Sequence, residues 1–190
     1  AKQLEAQGKD VVHLEIGEPD FDTPRNIIDK AVDALRSGFT HYGPSAGLPD
    51  VRKVIAEHIS RDRGIQVGPD NVVVTPGGKP VMYYVMTALV DEGDEVIYPN
   101  PGFPIYESVI EYLGARPVPL PLRQENEFRL DLDEFRDKLS SKTRLVIMNT
   151  PQNPTGGMLP PEDIRKIAEI LREFPETWVL SDEIYSKIIY

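Results

Sequence analysis

The 190-residue sequence contains no cysteine and only three histidines. Without cysteine there is no disulfide framework, thiolate zinc site, iron–sulfur cluster or cysteine nucleophile, and three scattered histidines do not complete a zinc tetrad. We therefore assign no metal site. Basic residues are outnumbered by acidic ones. The sequence has 21 Lys and Arg and 31 Asp and Glu, which gives a formal net charge of −10. Nucleic acids and anionic membranes require clustered Lys and Arg, so this balance argues against both partners but leaves a small anionic ligand possible.

Long hydrophobic runs are absent as well. No apolar stretch approaches the roughly 18 residues that cross a bilayer, and the first residues lack the apolar centre of a secretory signal. We therefore expect a cytoplasmic protein. Hydrophobic residues still make up 40% of the chain, enough for a buried core. The sequence begins without Met and stops at Tyr190 directly after an apolar stretch, so we expect both ends to be cut.

Helical and strand-like segments alternate from about residue 23 onward, and many of the 18 prolines lie at the joints between them. Apolar residues at helical spacing predict helices over 24–37, 48–62, 79–90, 103–113, 131–139 and 161–174. Apolar or β-branched runs predict strands over 71–75, 95–98, 116–122, 144–149 and 178–182. This alternation predicts a three-layer α/β domain with a mostly parallel sheet covered by helices on both faces.

Ligands of open α/β sheets bind beyond the carboxyl ends of the strands, so the loops after the strands are the candidate sites. In the loop at 75–79, Gly77 and Gly78 precede a helix whose free backbone N–H groups favour a phosphate, although two such glycines often form only a tight turn. The Walker and dinucleotide glycine patterns are absent. The next loop places Phe103 where an aromatic ring could cover a planar ligand, and a core position is the alternative.

Two later loops add polar groups. Asn153 lies between two prolines, which keep its backbone from pairing as a strand and present its amide. Asp182 ends a predicted strand, with Tyr185 three residues on. Alone, such an acid is more often a metal ligand, a helix cap or a solvated charge. Together, the loops offer a phosphate cradle, an aromatic face, an amide, an acid and a phenol, which fit pyridoxal 5'-phosphate, whose ring nitrogen is kept protonated by a carboxylate.

Four segments carry a resemblance to a known family: Ile-Gly-Glu-Pro-Asp-Phe at 16–21, His-Tyr-Gly-Pro-Ser-Ala-Gly at 41–47, Asn-Thr-Pro-Gln-Asn-Pro-Thr-Gly at 149–156, and Ser-Asp-Glu-Ile-Tyr at 181–185. In this order, over nearly the whole chain, they resemble the signature segments of the class I and II, fold-type I aminotransferases. The resemblance implies amino-group transfer between an amino acid and a 2-oxo acid by a ping-pong mechanism with pyridoxal 5'-phosphate. Two alternatives stay open, a carbon–sulfur lyase of the same fold and a regulatory domain without catalysis.

The resemblance also implies roles for particular residues. Asp182 would pair with the ring nitrogen and Tyr185 with the ring oxygen, which makes these two the catalytic candidates. Asn153 would approach the same oxygen and the substrate, and Phe103 would stack on the ring. Backbone N–H groups of Gly78 and Lys79 would hold the phosphate, so that the Lys79 ammonium is not required. Gly17 would lie near the substrate carboxylate, and Tyr42 would reach the partner's cofactor phosphate across a homodimer interface.

The family's Schiff-base lysine lies some tens of residues beyond the Asp-Glu-x-Tyr segment, so we expect it outside this chain. Lys187 is a poor substitute, because it follows Asp182 by only five residues. The carboxylate-binding arginine of the family belongs to a small domain that we also expect to be absent. On this interpretation, residues 1–22 form an N-terminal segment whose substrate loop lies around residues 15–21. Residues 23–190 form a cofactor-binding large domain, incomplete at its C-terminal end.

Overall fold

The computed structural model describes residues 1–13, 17–18 and 21–189, which form two compact units, Ala1–Leu48 and Pro49–Tyr190. Glu15, Ile16, Pro19 and Asp20, from the predicted substrate loop and its signature segment, lie outside the described residues. The first unit contains helices α1 (Lys2–Glu5) and α2 (Arg25–Arg36). Pro24 is the N-cap of α2, so this helix begins one residue later than its sequence predicts.

Helices and strands alternate through most of the second unit, as the sequence predicts. Its described elements are α3 (Pro49–Arg63), α4 (Lys79–Leu89), β1 (Glu95–Asn100), α5 (Ile105–Tyr112), β2 (Arg116–Pro121), α6 (Leu132–Lys138), β3 (Thr143–Asn149), α7 (Pro161–Leu171) and β4 (Trp178–Asp182). Local chemistry sets some of these bounds. Asp131, for example, caps α6, because its Oδ1 accepts from the backbone N–H groups of Asp133 and Glu134 at 3.0 Å. None of the described helices has the length and apolar character needed to cross a membrane.

The four described strands form one parallel sheet in the order β2-β1-β3-β4. This confirms the predicted parallel α/β architecture. The chain runs outward from β1 to β2 and then returns to the other side of β1 for β3 and β4. In the last pair, Asn149 lies opposite Asp182, so these two strand-end residues share one register position. β2 contains three prolines and occupies an edge, where missing backbone N–H groups are tolerated.

Side chains that alternate along the strands build a core on each face of the sheet, as residues at a period of two must. One core packs β1 and β3 against α4 and α5, and contains Val96, Tyr98, Leu145 and Ile147 together with Met86, Tyr106 and Ile110. The other packs β1, β2 and β3 against α6 and α7, and contains Ile97, Val118, Leu120 and Val146 together with Phe135 and Ile167. The predicted three-layer arrangement follows from these two cores.

The strand predicted over 71–75 is wrong. Pro69–Asn71 forms a 3-10 turn, and no strand of the described chain pairs with residues 72–75. The β-branched side chains favour extended backbone, but a strand also needs a neighbour for its N–H and C=O groups. Here Arg52 Nε donates to the Val72 carbonyl at 2.9 Å, and Val73 stays 63% exposed. The first predicted ligand loop therefore follows an unpaired extended segment.

Candidate functional site

The parallel sheet has a switch point between β1 and β3, because the chain leaves these neighbouring strands in opposite directions. Loops diverge at such a point and leave a crevice at the carboxyl ends of the strands. A pocket of about 230 Å³ lies there. It is lined by Gly78, Lys79, Met82, Phe103, Tyr106, Asn149, Asn153, Asp182, Ile184 and Tyr185.

Six of these lining residues are ones that the sequence singled out. The structure thus brings together Gly78, Lys79, Phe103, Asn153, Asp182 and Tyr185. Gly17 and Tyr42 belong to the first unit, where the Tyr42 side chain is fully exposed, and their roles stay predictions.

Asp182 is held by two donors. The Tyr106 hydroxyl donates to Asp182 Oδ2 at 2.6 Å, and the Ile184 backbone N–H donates to Oδ1 at 3.3 Å. Tyr106 itself is completely buried in α5, so its side chain has little freedom to move. A charge-assisted hydrogen bond from a rigid donor fixes the direction of the carboxylate. The sequence predicts no functional role for Tyr106, because within α5 this residue occupies an ordinary core position.

Tyr106 remains a neutral donor over a wide pH range. Its burial raises the pKa of the phenol above the usual value, and the hydrogen bond to Asp182 raises that pKa further. Tyr98 behaves alike, since burial and its 2.8 Å hydrogen bond to Glu107 raise the pKa of its phenol. Both phenols therefore keep their protons in the folded state at pH values where an exposed tyrosine ionises.

These raised pKa values predict a loss of stability in alkali. In the unfolded chain each phenol ionises near its usual pKa of about 10, whereas in the fold it does not. Above that pH the unfolded state binds fewer protons, so stability is intact below about pH 10 and falls as the pH rises towards the folded-state pKa. Urea unfolding of the full-length protein at stepped pH should show this fall. In the double variant Tyr98→Phe, Tyr106→Phe the free energy of unfolding should fall less steeply with pH. Equal slopes in the two proteins would contradict the raised pKa values of these phenols.

Asn149 ties the ends of β3 and β4 together. Its Nδ2 donates to the Asp182 carbonyl at 3.0 Å and to the Pro151 carbonyl at 3.3 Å, while its Oδ1 accepts from the Asn153 N–H at 2.8 Å. The side chain is buried, so each of these bonds replaces one to water. One amide thus positions the backbone of both Asp182 and Asn153.

Gln152 joins the loop after β3 to the loop after β1. Its Nε2 donates to the Pro101 and Asn153 carbonyls at 2.8 Å, and its Oε1 accepts from the Thr155 hydroxyl at 2.6 Å. The two loops contain three cis X-Pro peptide bonds, Asn100-Pro101, Thr150-Pro151 and Asn153-Pro154. The sequence predicts a rigid presentation of Asn153 from its flanking prolines. The buried amides of Gln152 and Asn149 also hold its backbone.

The N-terminus of α4 supplies free backbone donors. Gly77 adopts φ of +96°, which glycine tolerates, and its N–H donates to the Thr75 carbonyl at 2.9 Å. Among the described residues, no acceptor bonds the N–H groups of Gly78 and Lys79. The space beside Gly78 is open, since a Cβ placed there would meet nothing within 4 Å. Such a helix start attracts an anion.

Phe103 lies both at the edge of the core and in the lining of the pocket, the two positions that the sequence leaves open. It packs partly buried against the core on the α4 and α5 face, with its ring edge-on to Tyr106 at a centroid distance of 6.0 Å. It also lines the pocket. Lys187, by contrast, lies outside this lining, and its Nζ sits 3.0 Å from both carboxylate oxygens of Asp62 in α3. This contact agrees with the rejection of Lys187 as the Schiff-base lysine.

A larger groove, of about 770 Å³, runs along α6 and α7. Ion pairs already occupy many of its charges: Arg129 contacts Asp163 at 2.7 Å, and Arg136 contacts Glu173 at 2.6 Å. The smaller pocket at the switch point is the better candidate site because its polar groups converge. Within the described ranges, no group of three or more histidine, aspartate or glutamate side chains could hold a metal ion.

The chain is similar in sequence to known proteins. Residues 9–190 match the family described as aminotransferase class I and II. The chain is 40% identical over 190 residues to a probable aspartate/prephenate aminotransferase of Aquifex aeolicus, covering 100% of this chain and 48% of the relative. It is 42% identical over 182 residues to an aspartate aminotransferase of Pyrococcus horikoshii, covering 96% and 46% respectively.

Solved structures show the same fold. An alanine aminotransferase from Pyrococcus furiosus superposes with a TM-score of 0.95 at 34% identity, over 100% of this chain and 49% of that one. An aspartate aminotransferase of Thermus thermophilus, solved as a double mutant, gives a TM-score of 0.95 at 35% identity, with the same coverage. The chain thus spans about half the length of the curated relatives and solved structures that it matches.

Proposed function

Because the chain belongs to the class I and II aminotransferase family, we propose that the protein containing it moves an amino group between an amino acid and a 2-oxo acid with pyridoxal 5'-phosphate. The observation that carries this proposal is the convergence of six predicted residues, from four separate parts of the chain, on one pocket. Relatives named aspartate aminotransferases make aspartate the first donor to test.

The groups in this pocket fit the cofactor. Its phosphate suits the free N–H groups of Gly78 and Lys79 at the start of α4, where the helix dipole favours an anion. Its ring suits the aromatic face of Phe103. The ring nitrogen and ring oxygen require an acid at one point and neutral donors at another, which Asp182 and the pair Asn153 and Tyr185 offer.

When bound, the cofactor supplies a ring that withdraws electrons from the reacting substrate carbon. Asp182 would keep a proton on the ring nitrogen, because an anionic carboxylate stabilises the protonated form. Tyr106 and Asn149 orient that carboxylate and its strand end. Asn153 and Tyr185 would donate to the ring oxygen, and Asn153 would also contact the substrate.

We further propose that residues 23–190 belong to the cofactor-binding large domain and that the Schiff-base lysine lies elsewhere in the protein. The engagement of Lys187 with Asp62 supports this assignment. The active form would be a cytoplasmic homodimer in which Tyr42 reaches the partner's cofactor phosphate and Gly17 lies near the substrate carboxylate. The full exposure of Tyr42 leaves its ring available for that contact.

The proposal predicts a stoichiometric half-reaction. The full-length protein, loaded with pyridoxal 5'-phosphate and given aspartate without any 2-oxo acid, should release one 2-oxo acid per cofactor and then stop. Adding a different 2-oxo acid should return the cofactor to its starting absorbance and release the corresponding amino acid. Continuous release of ammonia and pyruvate from sulfur-containing amino acids would instead identify an elimination enzyme. Absence of any half-reaction across common amino acids would contradict transamination.

A further inference from the structure

Asp182 is the last residue of β4, and the segment that follows it, residues 183–189, carries Tyr185. The local hydrogen bonds of this segment determine only its shape. The Ile184 N–H donates to Asp182 Oδ1, the Ser186 N–H donates to the Glu183 carbonyl at 3.0 Å, and the Ile188 N–H donates to the Tyr185 carbonyl at 2.9 Å. All these partners lie within 182–188. They give the segment a turn conformation but do not attach it to the rest of the unit.

Apolar burial contributes little to holding this segment. Ile184 is 69% exposed, Ile188 is 51% exposed and Ile189 is 59% exposed. A side chain contributes stabilisation in proportion to the apolar area that it removes from water, so these three provide weak anchors. Tyr185 itself is half-buried, so its own burial gives the segment only part of its attachment.

Two ion pairs supply that attachment, and both lead to the C-terminal end of α3. Lys187 Nζ lies 3.0 Å from Asp62 Oδ1, and the Arg63 guanidinium donates to Glu183 Oε2. Within the described part of the chain, these are the hydrogen bonds and ion pairs through which side chains of 183–189 reach beyond β4. They bracket Tyr185, one on each side in sequence.

The four charges form one continuous network rather than two isolated contacts. Arg63 Nε lies 3.8 Å from Asp62 Oδ2, so charges alternate in sign along Lys187, Asp62, Arg63 and Glu183. Single exposed ion pairs contribute little to stability, but networks and well-defined geometry contribute more. Asp62 and Arg63 are neighbours on one helix, and each contacts the segment at a different residue. Two such contacts restrain the orientation of the segment, which a single ion pair does not.

We propose that Asp62, Arg63, Glu183 and Lys187 form a clamp by which α3 positions the segment after β4, and with it Tyr185, for the cofactor. The four are positioning residues, since none of them lines the pocket. A segment that is ordered before binding loses less conformational entropy on binding, so the clamp strengthens cofactor affinity. This inference rests on the proposed function, because it concerns the same pocket.

The test is a double-mutant cycle in the full-length protein, with the dissociation constant of pyridoxal 5'-phosphate measured by titration of the cofactor-free form. Asp62→Asn and Lys187→Met should each weaken binding about two- to fivefold, the range of an exposed pair. The double variant should lose no more than Asp62→Asn alone, because both substitutions remove the contact between Lys187 and Asp62. The matched control is Glu57→Gln, which breaks the exposed Lys53–Glu57 pair of the same helix and should leave the constant unchanged.

A second measurement does not depend on cofactor or activity. Hydrogen exchange of the backbone amides at 183–188 in the cofactor-free protein should be faster in Asp62→Asn and Lys187→Met, but unchanged in Glu57→Gln. Additive losses of affinity, or unchanged affinity whatever the exchange result, would overturn the clamp. Failure of the unmodified protein to bind the cofactor at all would instead contradict the proposed function, which keeps the two failures distinct.

Discussion

Replacing Asp182 with asparagine should slow the half-reaction with an amino acid by about 100- to 1,000-fold, the loss typical of removing one preorganised electrostatic contact. The substitution removes the negative charge that would hold a proton on the ring nitrogen. It keeps an oxygen that accepts from the Tyr106 hydroxyl, which lies 2.6 Å from Asp182 Oδ2, so the fold should be unaffected. Single-turnover kinetics of the full-length protein measure the effect directly.

Tyr106→Phe should slow the same half-reaction, but less than Asp182→Asn does. It keeps the charge of Asp182 but removes the hydroxyl that orients it. A hydrogen bond to a charged group contributes about 1.5 kcal/mol, which corresponds to roughly a tenfold slower half-reaction. A loss in Asp182→Asn no larger than the loss in Tyr106→Phe would contradict a role for the carboxylate charge. Matching thermal midpoints would establish that neither variant acts through unfolding.

Gly102→Ala should destabilise the protein by about 3 kcal/mol, the upper range for inserting atoms into a packed region. A Cβ at this position would lie well inside the van der Waals contact distance of the Pro99 carbonyl oxygen, and 3.5 Å from the Tyr106 ring. The clash involves backbone, which does not rotate aside as a side chain could. Because Gly102 precedes Phe103, the strain should also displace the aromatic face of the pocket and weaken cofactor binding. Urea unfolding and cofactor titration of the full-length protein measure the two effects.

Gly68→Ala is the matched control for this prediction. Its Cβ would meet Asn71 Oδ1 at 3.5 Å, an ordinary contact distance, and its φ of −94° suits alanine. Its unfolding midpoint should stay close to that of the unmodified protein. Equal destabilisation by the two substitutions would mean that the tight contact at Gly102 is relieved at no cost.

The sequence was sufficient to predict which loops converge, for a simple physical reason. Carboxyl ends of parallel strands meet at one edge of a sheet, so Asn153 after β3 and Asp182 at the end of β4 are expected at the same edge once the strands are recognised. The alternation of apolar runs and helical periods gave those strands directly. Local patterns therefore determined both the architecture and the main polar groups of the pocket.

The supporting residues could not be predicted in this way. Tyr106 bonds to a residue 76 positions away, and within its own helix it shows only the pattern of a core side chain. Residues 71–75 are predicted as a strand because β propensity is a local property, whereas strand pairing depends on which segment lies alongside. The link from α3 to residues 183 and 187 likewise joins charges more than a hundred residues apart, and no spacing rule reveals it.

A crystal structure of the full-length protein grown with pyridoxal 5'-phosphate would show whether the pocket at the switch point binds that cofactor. We expect the phosphate at the N–H groups of Gly78 and Lys79, the ring against Phe103 and the ring nitrogen beside Asp182. The same crystals would reveal whether a partner's Tyr42 reaches the phosphate. A cofactor bound elsewhere on the protein, or a ring whose nitrogen points away from Asp182, would contradict the proposed site.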